Sequence, residues 1–526
     1  MNVMLTAVVS VVAAYFLCGL VPERWANQSA GRMRRLCGLV AAFGFIGSLV
    51  AAFCLALYGP AKVALLAIGD GPIRVSLYFD NLAAVMMVLI TFIGIIIVRY
   101  SNRYLLGERT QGRFLRWIAF TLGAVLLLVV SGNLLLFTAA WVFTSLGLHK
   151  LLTHYENRPA ATMAARKKFL ISRIGDVMLV AALVLTYRTF GSLEFTEVFA
   201  AAQQVAESAK GWMTTLIGVL FVLGAMTKSA QFPVHSWLPD TMEAPTPVSA
   251  LMHAGIINAG GFLILRLSPL IILSPIAMDF LAAIGAFTAV FAAVIMLTQT
   301  SIKRSLAYST IAQMGFMMLQ CGLGAFSVAL LHIVAHSLYK AHAFLSSGSN
   351  LDGGPNRFQV REPAPLSISS AAIALVMSIT IAVTMTTSTA FLFGALTGSK
   401  PGGPLLVFIL SLALIQLMWT GMKTCSVVVS LRTIFLAGLA CVTYFGAYAV
   451  LDGVLAGSVA HPTTSGLPIV LLSMVAIGFL LVFCLQAVLA TGRQPTFLHR
   501  LYVHAANGFY VDILARNLTW LVWRRA

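Results

Sequence analysis

Charge is scarce in this chain. Asp, Glu, Lys and Arg make up 10% of its 526 residues and 60% are hydrophobic, whereas a soluble globular protein carries about 25% charged residues. A water-soluble surface cannot be built from that composition, so a soluble enzyme, a DNA-binding protein and a disordered scaffold are excluded as the main body, and the surrounding solvent is lipid. Acids are the scarcer charge: 16 Asp and Glu stand against 34 Lys and Arg, a net charge of +18. In a membrane protein that excess reads as basic loops facing the cytoplasm and not as a nucleic-acid surface. The seven cysteines, at 18, 37, 54, 321, 425, 441 and 484, include no two that are two or three residues apart. No zinc or iron–sulfur ligand set and no CxxCH haem attachment can be read from them. Most lie in apolar runs and read as small hydrophobes.

What the chain does have is long apolar runs. They fall at about 2–20, 36–58, 80–98, 117–131, 133–152, 169–187, 212–229, 247–268, 276–298, 305–322, 324–346, 366–390, 403–421, 430–450 and 467–490. Their length predicts helices that cross a bilayer, about 15 of them at about 20 residues each; barrel strands would alternate and be half as long. The first run has neither a charged leader nor a small-residue cleavage site, so it reads as a membrane helix and not as a removed signal. With the N-terminus periplasmic, 26 Lys and Arg fall on the cytoplasmic side. Six (Lys62, Arg74, Arg188, Lys210, Arg266, Lys400) fall on the periplasmic side and two, Lys228 and Lys340, within runs. That bias predicts N-terminus out and C-terminus in. The tail from 491 to 526 interleaves Leu501, Tyr502, Phe509, Leu514, Leu518, Trp520 and Trp523 with Arg500, Arg516, Arg524 and Arg525. It reads either as an amphipathic element on the cytoplasmic interface or as a docking strip for a partner through Leu501, Tyr502, Phe509 and Tyr510.

An ionisable group inside a run costs several kcal/mol unless it is paired or hydrated, so such groups are the informative ones. Arg173 and Asp176 are three apart and share a helix face, as a structural pair or as part of a gate or relay. Lys228 is followed by Pro233 and Pro239, then Pro245 and Pro247. Pro233 removes a backbone donor inside a span, which predicts a broken helix of the kind that lines hydrated cavities. A Lys at that depth can gain and lose a proton during a cycle. His253 is followed in sequence by Lys303-Arg304, which equally fits a plain cytoplasmic loop. His332, His336 and Lys340, spaced i, i+4, i+8, line one stripe of a helix. Two histidines four apart could hold zinc, but no third ligand is near, so a proton file is the favoured reading. A Lys/His file with few acids favours H⁺ over Na⁺, although backbone carbonyls could also hold a cation.

These segments carry a resemblance. The stretch from Lys228 to Arg266 (TKSAQFPVHSWLPDTMEAPTPVSALMHAGIINAGGFLILR), ARKKFLISRIGD at 165–176, SIKRSLAYSTIAQMGF at 301–316 and LHIVAHSLYKAHAFLSSG at 331–348 closely resemble the proton-conducting antiporter-like subunits. That family includes NuoL of respiratory complex I and MrpA of cation/proton antiporters. The resemblance implies an all-α polytopic membrane protein of about 13–15 transmembrane helices, with two inverted five-helix repeats, each with a discontinuous helix. By it, the chain divides into 1–115, a first repeat at 116–268 with its break near 228–240, a second repeat at 276–421, further helices at 430–490, and the tail. It implies Lys228 as the central lysine, Lys168, Arg173 and Asp176 as the sixth-helix motif, and His332, His336 and Lys340 as connecting residues. The sequence also departs from the NuoL pattern. Ala140-Trp141-Val142-Phe143-Thr144 lacks that family's fifth-helix glutamate, leaving Thr144, His149 and Lys150 as the polar groups nearby. The second broken helix falls at Thr384–Thr389 and has no lysine. The chain also stops soon after its fifteenth run, without a lateral helix or an MrpA-like extension.

A NuoL core with those absences and the tail LYVHAANGFYVD at 501–512 resembles the DabB family, membrane subunits of bacterial two-component inorganic carbon pumps. The expectation is an H⁺-conducting inner-membrane transporter subunit. It would have no catalytic residues, metal site or cofactor of its own, and would bind a DabA-like, carbonic-anhydrase-like cytoplasmic subunit that holds zinc. A proton-pumping subunit of an NADH–quinone oxidoreductase and an Mrp-type Na⁺/H⁺ antiporter subunit are the rivals.

Overall fold

The computed structural model describes residues 2–67, 74–208, 211–348, 368–396, 402–423, 426–460, 468–489 and 496–523. Cys425, Lys210, Lys400, Arg524 and Arg525 of the sequence reading lie outside them. The chain opens with α1 (Asn2–Gly19), α2 (Glu23–Gln28) and α3 (Ala30–Tyr58). A hairpin of β1 (Ala61–Ala67) and β2 (Arg74–Phe79) leads to α4 (Asn81–Tyr104), α5 (Gln111–Val130), α6 (Leu134–Leu152), α7 (Pro159–Phe190) and α8 (Phe195–Ser208). Next come α9 (Trp212–Lys228), the short α10 (Trp237–Asp240), α11 (Thr246–Ala254), α12 (Ala259–Arg266) and α13 (Ser268–Ile271). Then follow α14 (Pro275–Met296), α15 (Ile302–Gly322), α16 (Phe326–Leu345), α17 (Ile368–Leu392), α18 (Gly403–Met422), α19 (Val427–Val454) and α20 (Ile469–Leu489). The tail forms α21 (Thr496–Ala506) and α22 (Val511–Trp523).

Each of the fifteen apolar runs falls on a helix or, at 247–268, on a helix pair. By length and composition 12 helices of the described residues can cross a membrane, with α1 and α9 as shorter apolar helices. The antiparallel hairpin, not expected from the sequence, departs from an all-helical chain. Large apolar side chains stay exposed along the outer helices, as at Ile469, Met474 and Leu481 of α20, which fits a lipid solvent and no other. The helices meet through small residues, as membrane helices do. A Cβ on Gly285 of α14 would lie 2.5 Å from the Leu319 backbone, and one on Gly315 of α15 would lie 2.5 Å from the Ala289 backbone, so both positions admit hydrogen alone.

The connections gather at two ends according to parity. At one end β2 bridges Ser131 and Asn133 bridges Glu194; Asn81 donates to the Val454 carbonyl at 2.6 Å, and the Ala460 amide donates to Ser268. At the other end Arg113 and Arg116 face Glu23, Arg113 also meets Glu156, and His154 faces Glu108. The sequence topology demands this separation. Arg266 corrects that reading: counted with a loop, it lies 1% exposed in α12, paired with Asp80.

The hairpin end is held by Glu194. Lys62 sits 2.6 Å from its carboxylate, Ser76 donates at 2.8 Å and Asn133 donates at 3.1 Å. Burial raises the Glu194 carboxyl, but the hydrogen bonds from Lys62, Ser76 and Asn133 outweigh it and leave it below its usual value of 4.5. A carboxylate lowered on folding stabilises the fold above the unfolded-state value, and that stability is lost as pH falls through the folded-state value. Wild type should therefore exceed Glu194→Gln in stability by about 1–3 kcal/mol at neutral pH, with the gap closing below the usual glutamate range. Thermal unfolding in detergent from acid to neutral pH measures it; a gap that does not depend on pH would remove the carboxylate as its source.

Candidate functional site

The first repeat builds a site where α9 stops at a buried lysine. α9 ends at Lys228 because Ala230 takes φ +49° and the Gln231 amide reaches back to the Met226 carbonyl. This is the six-to-one closure that usually employs glycine at the left-handed position. An alanine there costs about 1–2 kcal/mol, and Ala230, fully buried, is held by its surroundings. Pro233 then denies the chain a donor, and short turns and α10 carry it to Pro245. The predicted break at Pro233 is present, and Pro239 lies buried within α10.

A second interruption follows that the sequence reading missed. The run 247–268 splits at Gly255–Asn258 between α11 and α12. The two breaks satisfy one another: Ser229 donates to the Ile257 carbonyl at 2.6 Å, while Asn258 donates to Ser337 of α16 at 2.8 Å. In the second repeat the expectation fails. α17 runs unbroken through Thr384–Thr389. Its stretch contains no proline, and the hydroxyls of Thr386, Thr387 and Thr389 donate to carbonyls four residues back, so the polar side chains are satisfied by the helix itself.

Lys228, 5% exposed, is held by oxygens of α6. Its Nζ lies 2.6 Å from Thr144 Oγ1, 2.9 Å from the Trp141 carbonyl, 3.1 Å from Ser145 Oγ and 4.2 Å from the Trp141 ring centroid. Thr144 was expected nearby; His149 and Lys150 make no bond to it, and Ser145 was missed. Lys168 of α7 donates to the Ser145 carbonyl at 2.9 Å, so two buried ammonium groups converge on one serine. Arg173 pairs with Asp176 at 2.6 Å, and the buried Asp176 lies about two turns along α7 from Lys168.

Beyond the breaks a second group lies between α11, α15 and α16. His253, fully buried, faces Thr310 Oγ1 at 2.9 Å through Nδ1. Thr310 donates its own proton to the Leu306 carbonyl, which also accepts from Lys340 at 3.2 Å. Thr310 therefore accepts from His253, and Nε2 is left as the basic nitrogen of the neutral ring. His336 is buried with its ring centroid 6.1 Å from that of His332, whose Nδ1 lies 3.0 Å from Gln320 Oε1. The i, i+4, i+8 stripe thus faces inward as expected. Lys303 stands apart, half-buried and donating to Thr246 at 3.2 Å, and Arg304 is exposed. Polar residues within apolar runs were the available signal for Ser145, Thr310, Gln320 and Asn258.

The tail is not a free strip. Asp512 of α22 pairs with the buried Lys167 of α7, which also binds Asp240 at 2.6 Å. Phe509 turns inward through a positive φ of 49° and meets Phe291 at 5.4 Å. Of the four docking candidates Phe509 is thus occupied within the chain and Leu501 is half-buried, while Tyr502 and Tyr510 are exposed.

Two family models match. The model described as "NADH:quinone oxidoreductase/Mrp antiporter, TM" covers residues 131–397, and "NADH-Ubiquinone oxidoreductase (complex I), chain 5 N-terminus" covers 65–115. A probable inorganic carbon transporter subunit DabB2 from Halothiobacillus neapolitanus is 39% identical over 466 residues, 86% of this chain and 82% of the relative. A probable inorganic carbon transporter subunit DabB from Hydrogenovibrio crunogenus is 40% identical over 67% of this chain and 65% of its own. The chloroplastic NAD(P)H-quinone oxidoreductase subunit 5 of Lemna minor is 39% identical over 53% of this chain and 38% of its own. Among solved structures, the Mrp complex from Dietzia sp. DQ12-45-1b shares the fold at a TM-score of 0.68 and 24% identity, over 98% of this chain and 59% of that one. The broken α9, its buried lysine and these matches converge: the chain belongs to the NADH:quinone oxidoreductase/Mrp antiporter family of ion-translocating membrane subunits, with the probable inorganic carbon transporter subunits DabB and DabB2 among its relatives.

Proposed function

We propose that this chain is the proton-conducting membrane subunit of an energy-coupled inorganic carbon uptake complex. Cation entry, H⁺ in this reading, drives a DabA-like, zinc-containing, carbonic-anhydrase-like partner that converts CO₂ to trapped bicarbonate. The observation that carries it is the line of titratable side chains through Lys168, Lys228, His253, Lys340 and His336, all buried, and the half-buried His332. Such groups move protons between water-filled segments. Lys228 and Lys168 share Ser145, so charge arriving at one repels charge on the other and pushes a proton onward. The inner membrane holds the chain with the hairpin end in the periplasm and the tail in the cytoplasm, where basic loops belong and where bicarbonate is useful. A zinc-bound water requires about three protein ligands and an open position, and this reading assigns that chemistry to the partner.

Purification of the tagged chain from its native membrane tests the assignment. A stable complex with a zinc-containing subunit is expected, and uptake by the pair should collapse when an uncoupler dissipates the ion gradient. Recovery with quinone-reductase or antiporter subunits would favour those rivals, and uptake indifferent to the uncoupler would separate the ion path from the work.

A further inference from the structure

The second repeat lacks the lysine and the break that serve the first, yet its histidine file on α16 needs a source of protons. Between residues 276 and 489 the acids among the described residues are Asp279 of α14 and Asp452. Asp452 stands on α19 at the hairpin end of the molecule, two residues before the Val454 carbonyl that binds Asn81. Ser327 of α16, 5% exposed, donates to its Oδ1 at 2.7 Å. Tyr444, Tyr448 and Asp452 are spaced i, i+4, i+8 and form a polar stripe on α19, antiparallel to the His332–His336–Lys340 stripe on α16.

Two cavities lie between those helices. One of about 300 Å³ is lined by Ser327, Tyr444, Tyr448 and Asp452. The other, about 700 Å³, is lined by Gln320, His332, His336 and again Tyr444. Leu406, Leu410 and Tyr444 border both, so Tyr444 is the polar residue of the shared wall. Both spaces are large enough for several waters and carry the polar partners that waters need.

We propose that Asp452 is the proton-loading residue of a half-channel that opens at the hairpin end and feeds the α16 histidines through Tyr444. The proposal rests on the proton-conducting reading given above. A hydronium at the mouth gives its proton to the Asp452 carboxylate and leaves as water. The proton then passes along water and the Tyr444 hydroxyl, each accepting one proton and releasing one. His332 Nδ1 faces a carbonyl oxygen, which only accepts, so Nδ1 carries the ring's proton and Nε2 receives the next. The imidazolium returns to neutrality by passing one proton toward His336, whose two nitrogens have no hydrogen-bond partner among the described residues. The other polar groups facing this file include Ser309, Gln313 and Gln320 from α15, Tyr339 and Lys340 from α16 and His253 from α11, and Lys340 and His253 are the titratable nitrogens that take the proton next.

Proton flux into vesicles of the purified complex, read by an internal pH dye, tests the route. Asp452→Asn keeps an oxygen for Ser327 and should cut flux about 100-fold, the scale of a lost proton-transfer group. Asp452→Glu should restore most of it. Tyr444→Phe should give a smaller loss with unchanged yield and monodispersity. Wild-type flux in Asp452→Asn would overturn the proposal, and if that variant fails to fold, wild-type flux in Tyr444→Phe would do so. Absence of proton flux in the wild-type complex would instead defeat the proton reading itself.

Discussion

Lys228→Met should assemble normally and lose ion-driven transport to background. The side chain ends on three oxygens of α6 and over the Trp141 ring, and a methionine of similar length fills the same space without a charge. Loss of a transferring group at the centre of a relay costs about 10²–10⁴-fold in rate. Lys228→Arg separates a proton carrier from a fixed charge. A guanidinium keeps the cation but is never deprotonated in a protein, so this variant should fold, keep the positive charge and still fail to transport. Transport-dependent growth, together with the yield of the complex in membranes, measures both. Full transport in Lys228→Met would remove the residue from the mechanism; transport by Lys228→Arg alone would reduce it to a fixed charge.

Asp80→Ala should destabilise the chain more than any surface change. Arg266 binds Asp80 through two bonds, at 2.7 and 2.9 Å, with both residues 1% exposed. The same carboxylate caps α4 by accepting from the Ala83 amide at 2.9 Å. Removing one partner of a buried pair leaves an uncompensated charge and costs about 3–5 kcal/mol, to which the lost cap adds about 1 kcal/mol. Asp80→Ala combined with Arg266→Met should recover much of the first term, since no charge is then stranded. Unfolding by denaturant in detergent, run on the single and double variants, gives the coupling. A double variant no more stable than Asp80→Ala would show that the pair is not what holds α12 to α4.

The helix at 247–268 shows how far the sequence carries. Its apolar length announced a span, and the span exists, but its interruption at Gly255–Asn258 is stabilised by Ser229 and Ser337, which lie 28 and 79 residues away. Asn258 is its local mark, and one polar residue in an apolar run does not by itself specify a break. The opposite error occurred at Thr384–Thr389, where the resemblance implied a broken helix. Hydroxyls that fold back on their own helix cost the ladder nothing, so α17 continues. The tail was read as an amphipathic element on the cytoplasmic interface or as a docking strip for a partner. What the pattern could not say is that Asp512 finds Lys167, 345 residues away.

Residue type and spacing alone determined where the apolar helices fall, the break after Lys228 and the shared face of His332, His336 and Lys340 on α16. Each follows from chemistry acting within about one or two turns of chain: burial of apolar length, exclusion of charge from lipid, the missing donor of proline and the helical repeat. Only the tertiary structure decided which oxygens hold Lys228, that Arg266 is buried against Asp80, and that Asp452 and His332 line neighbouring cavities with Tyr444 in common. Those outcomes depend on which distant helices come to lie side by side, and in a bilayer that choice is made by close packing of small residues such as Gly285 and Gly315, whose pairing no single stretch of sequence records.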